Sequence, residues 1–439
     1  MRIFLYDDFP PETSAMIQAL YSRSPQSVVQ HARRVQERGS DQFMASYYVG
    51  YGHASIGDCG VTTLYVEDIS LLACKAVQDN PLYSGQETST RYIDFSKQRI
   101  HDPIGSSKSE RLLRRWVDFY VDASDEVTES LKERFPLPLG TKEAAWAKAI
   151  AARSFDILRG FLPAGVTSQV SWTTNLRQAH EHMLRLETHP LDEVRAIGVQ
   201  CRQELGRRYP SSFSHQQNEE EIAYLRRVAR RETYCLPTDV PVAAGSFEVS
   251  CTIDNSKLEA DALELIATRP RKSSLPKSLA RFGQYRCRFL LDFGSFRDLQ
   301  RHRAGLCRMP LLTPDLGFNS WYLDQVPEGL REKATVFVDQ QCGELRSLVT
   351  RSTPVEDRQY FCPLGANVSC ELIYDLPQMV YVAELRSSQT VHPTLRWVAI
   401  QMLHALAARH PRLALHGDAS ESALSIRRGS QDIIDRSAA

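Results

Sequence analysis

A chain of 439 residues is too long for one ordinary hydrophobic core and points to two or three domains. Apolar and charged fractions of 42% and 24% are those of a soluble globular protein, and no run of about eighteen apolar residues offers a membrane span. Lys plus Arg equals Asp plus Glu at 53 each, which disfavours a general nucleic-acid binder, since that class carries a basic excess.

The opening Met1-Arg2-Ile3-Phe4-Leu5-Tyr6 reads as a short strand running into acidic residues, not as a signal peptide. A helix is predicted over 25–36, with proline in its first turn. A glycine-punctuated turn follows, Gly50-Tyr51-Gly52-His53-Ala54-Ser55-Ile56-Gly57-Asp58, then a strand over 61–66. A buried helix over 69–78 is stopped by Asp79-Asn80-Pro81. Residues 109–135 form the clearest helix of the first half, with Leu112, Leu113, Trp116, Val117, Tyr120, Val127 and Leu131 on one stripe. Another helix spans 144–158 and ends near Arg159. After Phe161-Leu162-Pro163-Ala164-Gly165 come a short strand and a helix carrying Asn175, Arg177 and Met183. His189-Pro190 opens one more helix, closed near Tyr209-Pro210, and from Ser211 the chain turns strongly charged.

The second half repeats this order. A strand over 285–291 and the segment 296–300 lead into Arg301-His302-Arg303, and a helix spans 334–348. Phe361-Cys362-Pro363-Leu364-Gly365 echoes Phe161-Leu162-Pro163-Ala164-Gly165. His392-Pro393 echoes His189-Pro190, and His410-Pro411 closes the last helix as Tyr209-Pro210 closes its counterpart. Three echoes in register argue for internal duplication. The expected division is a repeat over 1–215, a connector over 216–240, a second repeat over 241–415 and a loose polar tail over 416–439. Ten cysteines scattered singly, without a CxxC pair, argue against a zinc ribbon and suit a reduced cytoplasmic protein without a metal.

Between the helix over 69–78 and the helix over 109–135 lies Gln86-Glu87-Thr88-Ser89-Thr90-Arg91-Tyr92. In extended backbone Glu87, Ser89 and Arg91 point to one face, a strip suited to a small polar ligand or, equally, to the solvated face of an edge strand. Arg301-His302-Arg303 is either an anion-binding cluster or a solvated helix face.

These segments resemble the flavin-dependent thymidylate synthases, whose signature is Arg-His-Arg, seven residues, Ser, one residue, Arg. The signature is split here. Ser89 and Arg91 stand at the right spacing in the first half, where the Arg-His-Arg positions hold Asp79-Asn80-Pro81. Arg301-His302-Arg303 is intact in the second half, where Leu311 and Thr313 replace the serine and arginine. The family's flavin turn, Gly-His-x-Ser/Thr-x-x-Glu, is similar to Gly52-His53-Ala54-Ser55-Ile56-Gly57-Asp58. Arg159 sits where the family places a base-contacting arginine, with Gln359 as its second-half counterpart, and Arg386 resembles a phosphate-binding arginine.

The resemblance implies an α/β (α+β) fold of two tandem synthase-like repeats forming a pseudo-dimer with one composite site per chain. It implies C5-methylation of a dUMP-type pyrimidine nucleotide, with FAD, 5,10-methylenetetrahydrofolate as carbon donor and NADPH as reductant. Glu87, Ser89, Arg91, Arg159, Arg301 and Arg386 would bind the nucleotide, with Arg159 and Ser89 nearest the chemistry. His53, Ser55, Asp58, Asn175, Arg177, His189, Arg301, His302 and Arg303 would bind the flavin. Since the family is tetrameric, a fused pair implies a homodimer, a pseudo-tetramer of repeats. Asp298 replaces a glutamine beside the nucleotide, with Arg297 as its expected neighbour, so the acceptor stays open between dUMP, UMP, a cytosine nucleotide and a secondary-metabolite precursor. A non-catalytic nucleotide- or flavin-binding paralogue is the other class of reading.

Overall fold

The computed structural model describes residues 8–22, 24, 26–38, 54–213, 218–233, 236–243, 245–348, 353–421 and 424–426. In chain order the first half carries α1 (Pro11–Tyr21), α2 (Val28–Arg38), β1 (Val61–Ser70), α3 (Leu71–Gln78), β2 (Ser84–Glu87), α4 (Ser107–Asp122), α5 (Ser124–Arg134), α6 (Glu143–Leu158), β3 (Thr167–Asn175), α7 (Leu176–Glu187) and α8 (Asp192–Arg208). After α9 (Glu219–Val228) come β4 (Phe247–Cys251), α10 (Asn255–Ala267), β5 (Gln284–Asp292), α11 (Phe293–Leu299), β6 (Leu306–Arg308), α12 (Ser320–Gln325), α13 (Glu328–Leu348), β7 (Asn367–Asp375), α14 (Leu376–Arg386) and α15 (Pro393–Arg409). The fold mixes helices with two sheets, as expected.

Two compact units result, and they follow packing rather than chain order. One gathers Met1–Ile69, Ala73–Thr88 and Ser168–Glu232; the other gathers Ser70–Leu72, Ser89–Thr167 and Thr233–Ala439. The first unit carries the three-stranded sheet β1-β3-β2, with β2 antiparallel to β3 from Ser84 opposite Thr173 to Glu87 opposite Val170. Its small helical core closes over Ala15, Met16, Ile17, Ala32, Val35 and Ile56. The second unit carries the antiparallel sheet β4-β5-β7-β6, with β5 and β7 paired along nine residues from Gln284 opposite Asp375 to Asp292 opposite Asn367. Phe119 of α4 stacks on Phe337 of α13 at 4.4 Å between centroids, and Gln341 donates to the Leu112 carbonyl at 2.9 Å.

The two Phe-x-Pro-x-Gly segments meet inside the second unit. Ala164 N–H donates to Cys362 O and Leu364 N–H to Leu162 O, while Gly165 N–H donates to Tyr360 O and Gly365 N–H to Gly160 O, all at 2.8 Å. Each bond has a mate displaced by 200 positions, the exchange that a twofold relation between equivalent segments produces. Glycine is required at the crossing: a Cβ on Gly165 would lie 2.7 Å from the His101 carbonyl oxygen and 3.0 Å from that of Tyr360. Gly165→Ala is therefore expected to lower the denaturant midpoint by the equivalent of about 1–3 kcal/mol, the scale of overpacking. An unchanged midpoint would mean that the ribbon yields freely.

The equivalence continues outward. β3 and β7 each span nine residues, and each ends on a side chain that caps the next helix: Asn175 accepts from Gln178 N–H and Asp375 from Gln378 N–H, both at 2.8 Å.

Several expectations change. The opening strand lies outside the described residues. The helix expected over 25–36 is α2, and α1 precedes it. β1 runs on to Ser70 with Asp68 in left-handed backbone (φ 59°), so the helix expected from residue 69 starts at Leu71. The helix expected over 109–135 divides into α4 and α5 at Ala123. The charged stretch from Ser211 includes α9, whose Asn218 cap accepts from Glu220 and Glu221 N–H at a helix start bearing three glutamates. The start of the tail is tied down rather than loose: Arg396 donates to Asp418 O at 3.0 Å and Ser420 O at 2.6 Å, and Asp418 N–H donates to Ser387 Oγ at 3.0 Å.

Candidate functional site

The polar strip stays extended only as far as Glu87, and Ser89 and Arg91 lie in the turn beyond β2. The expected single face is thereby lost. Glu87 falls in the first unit, where it accepts from Gln78 Nε2 at 2.6 Å; Ser89 and Arg91 fall in the second. Ser89 Oγ accepts from Arg91 N–H at 3.2 Å, which tightens that turn.

Within the second unit, arginines from both halves of the chain surround one spot. Arg91 donates Nε and Nη2 to the two oxygens of Asp156 at 2.7 and 3.0 Å, and Nη2 also to Thr390 O at 3.2 Å. Burial opposes charge on Arg91, yet Asp156 holds its pKa above the ordinary guanidinium value. Arg159, buried in the turn after α6, donates to Ser295 Oγ at 2.9 Å and lies 3.9 Å from Asp292. Arg386, at the end of α14, donates Nε to His302 Nε2 at 2.7 Å and Nη2 to Asp298 O at 2.8 Å. Arg301 is exposed beside them. Burial would raise the pKa of Asp298, but the guanidiniums of Arg386, Arg91, Arg301 and Arg159 pull it below the carboxylate range. The expected neighbour Arg297 is not among them.

Four guanidiniums thus face three carboxylates, Asp156, Asp292 and Asp298, which leaves one net positive charge before Arg303 is counted. Such an excess, spread over planar forks, suits a phosphate. His302 contributes no charge. Burial first and Arg386 next push its pKa down to about 3, so its Nε2 serves as the acceptor for Arg386. A buried chain supports the cluster from behind. Tyr322 donates to Asp292 at 2.7 Å, Ser295 Oγ lies 3.2 Å from His392 Nδ1, and His392 Nε2 lies 3.2 Å from the Asp156 carbonyl oxygen. Tyr322, Ser295 and Asp156 carry no motif signal, and only the fold brings them here.

The mirror positions are chemically different. Gln359, equivalent to Arg159, accepts from Leu312 N–H at 3.0 Å, and Thr313 Oγ1 caps the next turn by accepting from Asp315 N–H at 2.9 Å. Leu311, Leu312, Leu316 and Leu345 line a cavity of about 470 Å³ there.

The remaining expected residues belong to the first unit. Asp58 pairs with Arg177 at 2.9 Å, both partly exposed, and Asn175 is the helix cap already described. His189 is buried, accepts from Leu191 N–H at 3.2 Å, and has its pKa pushed down to about 3 by burial and then Lys75. His182 was not expected from sequence: it is buried against Trp172, 3.0 Å from Val77 O, with its pKa pushed down to about 4, chiefly by burial. His53 and the side chain of Ser55 lie outside the described residues. Measured against a flavin dinucleotide, the exposed Arg301 of the second unit fits the anionic diphosphate. Asn175, His189 and His302 spend acceptors internally. Among the described residues there is no group of His, Cys, Asp and Glu able to hold a metal ion and no helix long and apolar enough to cross a membrane.

Residues 5–211 match the family model described as thymidylate synthase complementing protein. That segment resembles this family. Across both halves the chain is similar to a UPF0159 protein of Chlamydia muridarum, 26% identical over 415 residues, covering 82% of this chain and 77% of the relative. A UPF0159 protein of Chlamydia pneumoniae is 24% identical over 419 residues, with 83% and 78% covered. One from Thermoplasma acidophilum is 22% identical over 450 residues, with 86% and 88% covered. The family match points to a thymidylate-synthase-related enzyme of nucleotide biosynthesis, and the arginine cluster joins that matched segment to residues of the second half.

Proposed function

We propose that the chain is a fused duplicate with one composite active site, and that it methylates C5 of a dUMP-type pyrimidine nucleotide in a flavin-dependent reaction. The observation that carries this reading is the convergence of Arg91 and Arg159 from the first half with Arg301 and Arg386 from the second. Arg91, Arg301 and Arg386 hold the phosphate, and Arg159 lies deeper, where it stabilises charge on the pyrimidine carbonyls. Ser89 is a binding group that shapes the turn, not a nucleophile. Arg301 and Arg303 would hold the diphosphate of FAD. The bound flavin, reduced by NADPH, would supply the hydride, and 5,10-methylenetetrahydrofolate the carbon. Loss of charge at Gln359 and Thr313, and of the hydroxyl at Leu311, leaves the mirror site without phosphate affinity. The active form is a homodimer in the cytoplasm, reproducing four repeats.

Calorimetric titration with dUMP and UMP tests this. Arg301→Ala, which removes an exposed group, is expected to weaken binding by about 1.5–3 kcal/mol, the scale of a charged hydrogen bond. Thr313→Ala should leave binding unchanged. Equal losses at both positions, or none at either, would refute a single composite site.

A further inference from the structure

The cavity of about 470 Å³ at the mirror position is walled by Leu311, Leu312 and Leu316, by Leu345 of α13, and by Leu236 and Val355. Every one of these residues belongs to the second unit. Leu311, Leu312 and Leu345 are buried, yet they border open space. Protein interiors are close-packed, so leucines that leave such a space unfilled form the wall of a small-molecule pocket.

The polar groups around it are almost all committed. Gln359 Oε1 accepts from Leu312 N–H at 3.0 Å, and its Nε2 donates to Glu356 O at 3.0 Å. Thr313 Oγ1 donates to Asp315 Oδ2 at 2.8 Å. Arg346 pairs with Asp315 Oδ1 at 3.2 Å and donates to Pro314 O at 3.1 Å. Arg358 is the exception. It lines the same cavity but forms no ion pair with any described residue. Its guanidinium makes one long hydrogen bond, Nη2 to Thr353 O at 3.5 Å, and its Nε is sealed from water without a partner. Two cations, Arg346 and Arg358, thus line the cavity with one carboxylate, Asp315, and the uncompensated charge is that of Arg358.

A leucine-lined space with one unneutralised guanidinium in its wall is complementary to a molecule with an apolar body and a single anionic head. We propose that the mirror position is a second ligand site, which takes a small hydrophobic carboxylate. The carboxylate pairs with Arg358, and the apolar body lies against Leu311, Leu312, Leu316 and Leu345. This site shares no residue with the arginine cluster, so it binds its ligand whether or not that cluster binds a nucleotide.

The test is calorimetric titration of the full-length protein with octanoate, hexanoate and octan-1-ol. Octanoate is expected to bind about fifteenfold more tightly than hexanoate, since each of its two extra buried methylenes contributes roughly a factor of four. It should bind about tenfold more tightly than octan-1-ol, which lacks the charge. Arg358→Gln should remove the advantage over octan-1-ol and keep the dependence on chain length. Val355→Trp, at an exposed edge of the cavity, fills the space and should abolish octanoate binding. Val121→Trp, at a similarly exposed position on α4, should leave it unchanged. An excess of dUMP should not displace octanoate. Equal affinity for octanoate and octan-1-ol in the wild type would overturn the proposal, as would a charge preference that survives in Arg358→Gln. Equal losses in Val355→Trp and Val121→Trp would reduce the binding to unspecific surface adsorption and overturn it too. Displacement by dUMP would put the probe in the arginine cluster, with the same consequence. A wild type that binds none of the three probes leaves no second site at all.

Discussion

Stability is expected to fall steeply as the pH drops from about 6.5 to 5, because five buried histidines are neutral in the folded protein. His302 and His189 have their pKa pushed down to about 3, His182 and His410 to about 4 and His392 well below the ordinary value, with burial the first cause in each. All five are nearly inaccessible, at 7%, 7%, 3%, 1% and 0% exposure. A histidine whose folded pKa lies below its unfolded value takes up its proton only on unfolding. Its contribution is therefore present above the unfolded pKa and is lost as the pH falls toward the folded one. At about pH 5 the folded forms remain neutral while the unfolded ones, with pKa about 6.5, are almost fully charged, a loss of about 2 kcal/mol per histidine. His182 and His189 lie in one compact unit, which loses about 4 kcal/mol; His302, His392 and His410 lie in the other, which loses about 6 kcal/mol, in each case a large part of an ordinary domain's stability. Urea denaturation at pH 7.5 and 5.0 checks this. His182→Gln should flatten the slope by close to one proton; a midpoint unchanged between the two pH values would show that the rings are charged or open in the folded state.

How far the sequence foretold this arrangement differs by residue. The Phe-x-Pro-x-Gly echo was legible because a close crossing of two backbones demands glycine, and the structure spends Gly165 and Gly365 on that crossing. The resemblance to a known family brought Arg91 and Arg301 into consideration through the split signature, and Arg159 and Arg386 through its other matches, before any fold was known. The carboxylates that answer them were not legible in this way. Asp156 lies in an alanine-rich helix with no motif around it, and its partner Arg91 is 65 positions away. Asp298 was assigned to Arg297, its neighbour in sequence, but adjacent residues on a helix do not face each other, whereas positions three apart do. Arg301 is three residues on from Asp298, and the other three arginines come from distant segments. α1 escaped notice because its start, Pro10-Pro11-Glu12, reads as a breaker unless proline is recognised in a first turn.

Asp156→Ala is expected to be the most damaging single change near the site, costing about 3–5 kcal/mol, the scale for stripping one partner from a buried ion pair. The Asp156 side chain is 1% exposed and that of Arg91 13%, so the guanidinium left behind would be shielded from water and without its carboxylate, while Nη2 keeps its bond to the Thr390 carbonyl oxygen. The freed Arg91 also has Asp298 within electrostatic reach, and turning toward it would remove a donor from the proposed phosphate position. Stability and nucleotide affinity should therefore fall together in Asp156→Ala. Replacing both partners separates the two effects. In Arg91→Met/Asp156→Leu the desolvation cost of both charges disappears, and such replacements are neutral or stabilising in many proteins. The double variant should regain most of the lost denaturant midpoint while binding dUMP or UMP as weakly as Arg91→Ala. If instead it recovered affinity along with stability, Arg91 would be a structural residue and the phosphate would depend on Arg301 and Arg386 alone.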